Sequence, residues 1–445
     1  MSIKKNKITI IGGGPAGLAS AYYAKKNGIE FIVYEASDSF GGNCQTIKYN
    51  NFFFDTGAHR LHDKDHETTK LFKDLLKERL RKIHIPSQIY RDEKFIDFPL
   101  SPFGLFNFLG PVNFIKEALT IIFNSFKSKS KIKNFEDFAV NKFGKKIAHL
   151  FLLEYSNKLW GLHTSNLSTI ISGNRLKGLS IYTLVLEMVF GKKRKTKHLD
   201  GSFYYPDYGI GVLFDELINH CGELNFLSKS KVTRINHSEN NINSIVINNQ
   251  DCHNINHLVS SMPLGIFIES MNPLPPDEIL NISRSIKFRN IILVCFFLDK
   301  EKINNNGSMY FPDKKYLFTR IYEPKNRSAN MSPNNKTSLI VEIPCFKNDD
   351  IWVMDQNELI EKIKDNLIDL KFFTNNHIIH SNIYKISNAY PILELNFEKK
   401  IKKIFDYLSR FKNLNVTGRN GLFAYTHIHD HMKNGREIID YYMKK

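Results

Sequence analysis

Residues 7–35, KITIIGGGPAGLASAYYAKKNGIEFIVYE, constrain the fold more than any other stretch. Lys7 to Ile11 is a short β-rich run, and Gly12, Gly14 and Gly17 occupy the three glycine positions of a G-x-G-x-x-G turn. Leu18 to Lys26 has helical composition, Gly28 suits the C′ position that closes a helix, and Ile29 to Tyr34 is a second apolar strand. Strand, glycine turn, helix and strand define a β-α-β unit, whose strands pair in parallel. The glycines serve three physical ends, namely a tight turn, room for a pyrophosphate against bare backbone, and close packing of helix on sheet. The helix N-terminus adds unpaired N–H groups and the positive end of a dipole, which suits phosphates. Glu35 follows about twenty residues past the turn, where a carboxylate can accept hydrogen bonds from a ribose. With strand, helix and acid in place, the pattern predicts a dinucleotide site built from Gly12, Gly14, Pro15, Ala16, Gly17 and Glu35.

At 445 residues the chain is long enough for a large core and two domains. With 42% apolar and 24% charged residues it is globular rather than disordered. Lys and Arg exceed Asp and Glu by 62 − 45 = 17. Such an excess can draw an anionic substrate, a nucleic acid or a membrane surface. Here Lys, Asn and Ile are abundant throughout, so the total reads as compositional drift, and nucleic acid is not among the expected partners. Cys44, Cys221, Cys252, Cys295 and Cys345 are widely spaced and form no C-x-x-C, which suggests neither a zinc site nor a disulfide framework. Reduced thiols, and a first strand that leaves no room for a signal peptide, point to a cytoplasmic protein. No apolar run approaches the roughly eighteen residues of a membrane span. Two segments keep a peripheral membrane contact open. Apolar Phe114–Phe126 precedes KSKSKIK (127–133), and apolar Ile181–Phe190 precedes GKKRKTK (191–197). An apolar helix beside a basic run can lie on an anionic leaflet; a core helix before a solvated loop reads the same way.

KVTRINHSENNINSIVINN (231–249) has the alternation and Asn-rich turn of a hairpin. HLVSSMPLG (257–265) is a strand running into a Pro-Gly turn, and LNVTGRNG (414–421) a strand stopping in a Gly-rich loop before a helix over Asp430–Tyr441. These pieces join the N-terminal unit in a discontinuous cofactor domain of residues 1–90, 203–265 and 405–445. Residues 91–202 and 266–404 then form a substrate domain. Within it, 111–190 is helical and aromatic-rich, IILVCFFL (291–298) reads as a buried strand, FTRIYE (318–323) and TSLIVEIPC (337–345) as β-runs, and Asn357–Leu370 as an amphipathic helix.

SFGGNCQT (39–46) supplies a second glycine pair, and FFFDTGAHRLHD (52–63) places a G-x-H behind it. With one dinucleotide fingerprint at the N-terminus, this layout resembles the glutathione-reductase-type FAD proteins, and within them the amine oxidase, protoporphyrinogen oxidase and UDP-galactopyranose mutase group. The resemblance to the flavin-dependent UDP-galactopyranose mutases runs the length of the chain. It is carried by GGN and TGAHRLH, by YRDEKFIDFPL (90–100), and by FGKKIAHLFLLEYSNKLWG (143–161) with its Trp-Gly end. SFYYPDYGIGVLFDEL (202–217), LFTRIYEP (317–324), AYPI (389–392) and GRNGLFAYTHIHDHM (418–432) follow in the same order. NRLKGLS (174–180) departs from the pattern: it keeps Arg175 but lacks a clear second Arg, which bears on the identity of the sugar nucleotide. The resemblance implies an α/β fold, a glutathione-reductase-type FAD-binding Rossmann domain with an inserted mixed α+β substrate domain. It implies a nucleotide-linked sugar as substrate and pyranose–furanose interconversion through an adduct at N5 of reduced FAD, in surface-polysaccharide precursor synthesis. Whether NAD(P)H is the reductant stays open, as does the oligomeric state. The alternative is an FAD-dependent oxidoreductase of amine-oxidase or protoporphyrinogen-oxidase type.

The resemblance also assigns residues. It places Gly41, Gly42 and Asn43 near the ribose and pyrophosphate, Gly57 and His59 along the flavin ring, and the Val232 backbone at the adenine. Gly418, Arg419 and backbone N–H groups near Met432 face the flavin. Arg320 and Arg419 are candidates for a diphosphate, because a guanidinium fork pairs bidentately with phosphate oxygens. For Arg320 an ion pair with Glu323 or Glu342 is equally open. Tyr390 and Tyr425 can donate phenol hydrogens to the same phosphates, and Trp160 can stack on a base; a packing role would suit each as well. Arg175 completes the substrate set, and His59, Arg320 and Arg419 form the catalytic set. A neutral His59 can hydrogen-bond flavin N5. His427, His429 and His431 with Asp430 invite a metal reading, but their spacing puts only two on one helix face, so no metal is expected.

Overall fold

The computed structural model describes residues 7–126, 132–172 and 202–444, and the statements below concern these. Arg175 and the segment 181–197 lie outside them. β1 (Lys7–Ile11), α1 (Pro15–Lys26) and β2 (Glu30–Tyr34) form the expected unit. β1 pairs in parallel with β2 on one side and with His257–Ser260 on the other. Leu414–Val416 and Phe226–Leu227 complete a five-stranded parallel sheet drawn from distant parts of the chain. Parallel strands are covered on both faces and so read as unbroken apolar runs. Ile8, Ile10, Val33, Leu258 and Val259 are accordingly sealed from solvent. Val232–His237 and Ile242–Ile247 pair antiparallel as the hairpin predicted from the Asn-rich turn.

The carboxyl ends of β1, His257–Ser260 and Leu414–Val416 meet at one edge, where ligands of open α/β sheets bind. Three turns converge there. The Ser261 hydroxyl donates to the Ile11 carbonyl at 3.1 Å. A Cβ on Gly17 would sit 1.9 Å from the Gly12 carbonyl oxygen, so α1 reaches β1 this closely with glycine there. The C-terminal helix Ile428–Met443 packs across α1 by the same device: a Cβ on Gly435 would lie 2.8 Å from the Ala19 backbone.

A seven-stranded sheet stands beside this unit, in the order Ile378–Pro391, Phe288–Leu298, Thr337–Cys345, Arg320–Tyr322, Ser308–Tyr310, Ser87–Arg91, Lys94–Phe98. Phe288–Leu298 is paired on both edges, which explains its continuous apolar sequence. The helix Gln356–Asp369 covers one face with Leu359, Ile363 and Leu367, spaced one turn apart. YRDEKFIDFPL holds the end of one strand, the turn and the second strand of a hairpin. Asp92 and Glu93 turn it with φ of 48° and 61°, a left-handed pair that usually calls for Asn or Gly. The Trp-Gly end is a helix stop: Glu154–Trp160 closes on Gly161 at φ 70°, where a side chain would strike Arg289 and Phe346. Among the described residues no helix is long and apolar enough to cross a membrane.

Replacing Gly435 by Leu forces α1 and the last helix apart. Overpacking of this kind costs about 1–3 kcal/mol. Urea unfolding of the variant should show a lower midpoint with an unchanged slope; an unaltered midpoint would contradict the packing described.

Candidate active site: a cleft opening into an apolar cavity

The turn after β1 borders a cleft of about 350 Å³ lined by Gly12, Gly14, Pro15, Ala16, Glu35, Gly42, Asn43, His59, Val232, Gly418 and Arg419. The sequence points to every one of these. Gly17, Gly41, Gly57 and Met432 do not line it. Met432 is buried in the core between α1 and the sheet, while Ile428 and His431 of the same helix reach the cleft. Gly14 and Gly42 face each other across the floor, a Cβ on Gly14 coming 3.6 Å from the Gly42 Cα. Glu35 is held in place before any ligand arrives: one carboxylate oxygen accepts the Gly13 N–H at 2.6 Å, the other accepts the Ser37 N–H and hydroxyl at 2.8 Å. The oxygen that takes the Gly13 N–H keeps a second lone pair for a ribose hydroxyl.

Below the cleft lies a residue that no sequence motif singles out. Asp55 ends the run before the G-x-H loop and is fully buried. It accepts hydrogen bonds from the Tyr205 hydroxyl at 2.6 Å, the Thr46 hydroxyl at 2.7 Å and the Ile210 N–H at 2.9 Å, with the Arg327 guanidinium 3.8 Å away. Burial raises its pKa against the opposing pull of Arg327 and these donors. An acid directly before T-G-x-H in an otherwise apolar run was the available signal.

His59 projects from this loop toward the cleft, with Nδ1 3.7 Å from the Cys44 sulfur. Desolvation, then the charges of Arg419, Arg320 and Arg327, lower its pKa to about 3, so the ring is neutral near pH 7. His431 is lowered to about 3 by burial and by Arg419. Three sheltered polar atoms of residues lining the cleft have no partner among the described residues: His59 Nε2, His431 Nδ1 and Asn420 Oδ1. Buried polar atoms normally find partners, and a flavin ring bordered by carbonyl and N–H groups supplies them. The bare glycine floor, the poised Glu35 and these atoms fit FAD.

Arg320, Tyr390, Tyr425 and His427 line both this cleft and a second cavity of about 1030 Å³. They form the throat between the two. Arg320 forks onto Glu342 through Nε at 2.8 Å and Nη2 at 2.7 Å, so the ion pair open from sequence is present. Glu342 also accepts the Ala58 N–H at 3.2 Å, tying the seven-stranded sheet to the G-x-H loop. Tyr155 and Tyr310 line the cavity with rings 5.7 Å apart; no local motif marked them. Burial pushes Tyr390 up to about 12 against the lowering charge of Arg320, so its phenol stays a donor. Trp160 lines the cavity, yet is 4% exposed and meets Tyr390 and Tyr425 edge-on at 6.0 Å each. Arg419 faces the cleft rather than the cavity: both Nε and Nη2 donate to the Thr426 carbonyl, and the guanidinium lies over Tyr390 and Tyr425. That placement groups it with the flavin side instead of a sugar diphosphate.

His427, His429 and Asp430 come closer than their spacing suggested, with ligand atoms within 4.8 Å of one another. Their arrangement has a structural cause. His427 and Asp430 form a reciprocal capping box at the start of the last helix, which draws these two side chains together.

Comparison with known proteins places the chain. Residues 15–380, most of its length, match the family described as flavin-containing amine oxidoreductase, and the chain belongs to that family. It is an FAD-dependent enzyme of the amine oxidase superfamily. The crystal structure of reduced UDP-galactopyranose mutase resembles it with a TM-score of 0.86 over 99% of this chain and 96% of that one, at 18% identity. Cyclohexylamine oxidase from Brevibacterium oxydans IH-35A gives 0.69 over 99% of this chain and 100% of that one, at 13% identity. At these identities the likeness is one of fold. Protoporphyrinogen oxidase 2 of Arabidopsis thaliana is 30% identical over 74 residues, 17% of this chain and 15% of that protein. The chain thus matches about a sixth or less of that curated relative's length.

Two outcomes follow from the site. Arg419→Ala should lower FAD retention about tenfold or more, the loss expected for a charged hydrogen-bonding group; flavin absorbance per protein after gel filtration reports it, and full retention would contradict the placement. His59 and His431 have folded pKa values below the 6.5 of an unfolded chain. Stability from their neutrality is complete above pH 6.5 and is lost as pH falls toward 3. Urea midpoints should therefore decline over that interval, and decline less steeply in His431→Gln.

Proposed function

We propose that the protein is a mutase-like flavoenzyme that acts on a sugar joined to a diphosphate, a nucleotide-linked sugar being the form the mutase likeness suggests, and interconverts its pyranose and furanose forms. One observation carries the reading: Arg320 and the phenols of Tyr390 and Tyr425 stand in the throat between the FAD cleft and the cavity, and Tyr155 and Tyr310 line the cavity beside Arg320. A guanidinium and neutral phenols are hydrogen-bond donors that suit a departing diphosphate. Reduced FAD supplies the nucleophile for such chemistry, so no activated protein nucleophile is needed. NAD(P)H is the first reductant to try. Glu342 holds the Arg320 fork at the throat, while neutral His59 offers Nε2 to the cleft without adding charge.

A second reading, an amine-oxidase-like or protoporphyrinogen-oxidase-like dehydrogenase, is favoured by the apolar lining of the cavity, where Phe98, Phe135, Phe138, Phe151 and Leu152 gather. Oxygen-free reduction of the FAD-loaded protein followed by a panel of diphosphate-linked hexopyranoses, UDP- and dTDP-linked among them, separates the two. Ring contraction without net flavin oxidation is expected. Steady oxygen uptake with an amine or a porphyrinogen, and no ring contraction, would establish the second reading. Arg320→Lys keeps the charge but loses the fork, and should weaken binding of a turned-over sugar diphosphate about tenfold with FAD content unchanged.

A further inference from the structure

The throat is built for an anion, yet the cavity beyond it is built for hydrocarbon. Ile89, Phe98, Phe135, Phe138, Phe151 and Leu152 line its body, and its charged lining groups lie at Arg320–Glu342, at Lys64 and at the His427–Asp430 cap. A nucleoside carries several donors and acceptors, and each one buried without a partner costs about 1–3 kcal/mol. A hydrocarbon chain has none to satisfy and gains by burial.

The rim continues the pattern. Ile132 and Ile170 line the cavity while each remains 47% exposed, so apolar side chains lead from its interior to the surface. Beside the cavity wall runs the helix Pro102–Phe126, bent at Gly110–Pro111. Leu105, Leu109 and Phe114 pack it into the cluster that contains Ile89 and Phe151, which line the cavity. Val112, Ile115 and Leu119 point the other way, 78%, 55% and 50% exposed. At spacings of three and four they share one face. An outer apolar face on a helix already packed on its inner side gains nothing in water. Lys116 of the same helix is exposed, and in sequence the helix runs into KSKSKIK within a chain of net charge +17. Apolar face and adjoining cations together suit an anionic lipid surface.

We propose that the cavity takes the lipid tail of an amphiphile, a sugar whose diphosphate is carried on a long hydrocarbon chain, offered from an anionic leaflet on which the Pro102–Phe126 helix lies. The proposal rests on the mutase reading and names the group on the far side of its diphosphate. The diphosphate sits at Arg320 and the throat phenols, the sugar points to the flavin, and the chain runs past Phe138 and Ile170 toward the bilayer.

The test uses the FAD-loaded protein. Inorganic diphosphate, UDP and farnesyl diphosphate are titrated separately against flavin absorbance. Farnesyl diphosphate should bind at least about tenfold tighter than UDP, since burial of two methylene groups already gives that factor. UDP binding as tightly or more tightly overturns the lipid assignment and leaves the mutase reading standing. No response to any of the three, with no ring contraction of any sugar diphosphate, overturns both. In a second arm the protein is floated with vesicles of phosphatidylglycerol and phosphatidylcholine, or of phosphatidylcholine alone. Flotation with the anionic vesicles, lost in V112E/I115E/L119E while flavin absorbance is retained, is expected. Wild-type protein that stays at the bottom with both vesicles, or a variant that floats as well as wild type, overturns the docking surface.

Discussion

The approach of α1 to β1 at Gly12 and Gly17 is the contact on which the rest of the site depends. With a hydrogen in place of a side chain, the helix N-terminus comes down onto the strand end, and a Cβ at Gly17 would meet the Gly12 carbonyl at 1.9 Å. That contact exposes bare backbone to a pyrophosphate and aims the helix dipole at it. It also sets the level at which the last helix crosses α1, and so the position of His431 and the His427 cap. The strands that end beside it bring Ser261 and Gly418 to the same edge.

The flavin cleft and the larger cavity are coupled through two buried acids. Asp55 fixes the loop that carries His59 by collecting three donors, from Thr46 and from Tyr205 and Ile210. Glu342 does the same from the opposite sheet, holding Arg320 with both carboxylate oxygens while one of them also takes the Ala58 N–H. Removing either acid would leave a buried cation or donor unpaired, which is costlier than the net worth of the bond. This architecture lets a rigid sheet present a charge at the throat of an otherwise apolar cavity.

Much of this was legible in the chain because it is local. The β-α-β unit declares itself in a strand, three glycines and an acid, and the Trp160–Gly161 helix stop in a dipeptide. The hairpin at Asp92–Glu93 was not, because those residues adopt a left-handed turn without glycine or asparagine. Tyr155 and Tyr310 reach the cavity from a helix and a strand far apart in sequence, and no spacing rule joins them. Arg419 lines the cleft, but its partner, the Thr426 carbonyl, is a backbone atom that no side-chain motif reveals. In sequence Asp430 is a lone neighbour of three histidines, whereas helix capping pulls it against two of them.

The central claim is that this edge of the parallel sheet holds FAD. Calorimetric titration of FAD into protein stripped of flavin tests it most directly. The account predicts saturable binding at one site per chain, with a yellow product after gel filtration and the heat abolished in Gly17→Val. A chain that purifies colourless and evolves no heat with added FAD would contradict it.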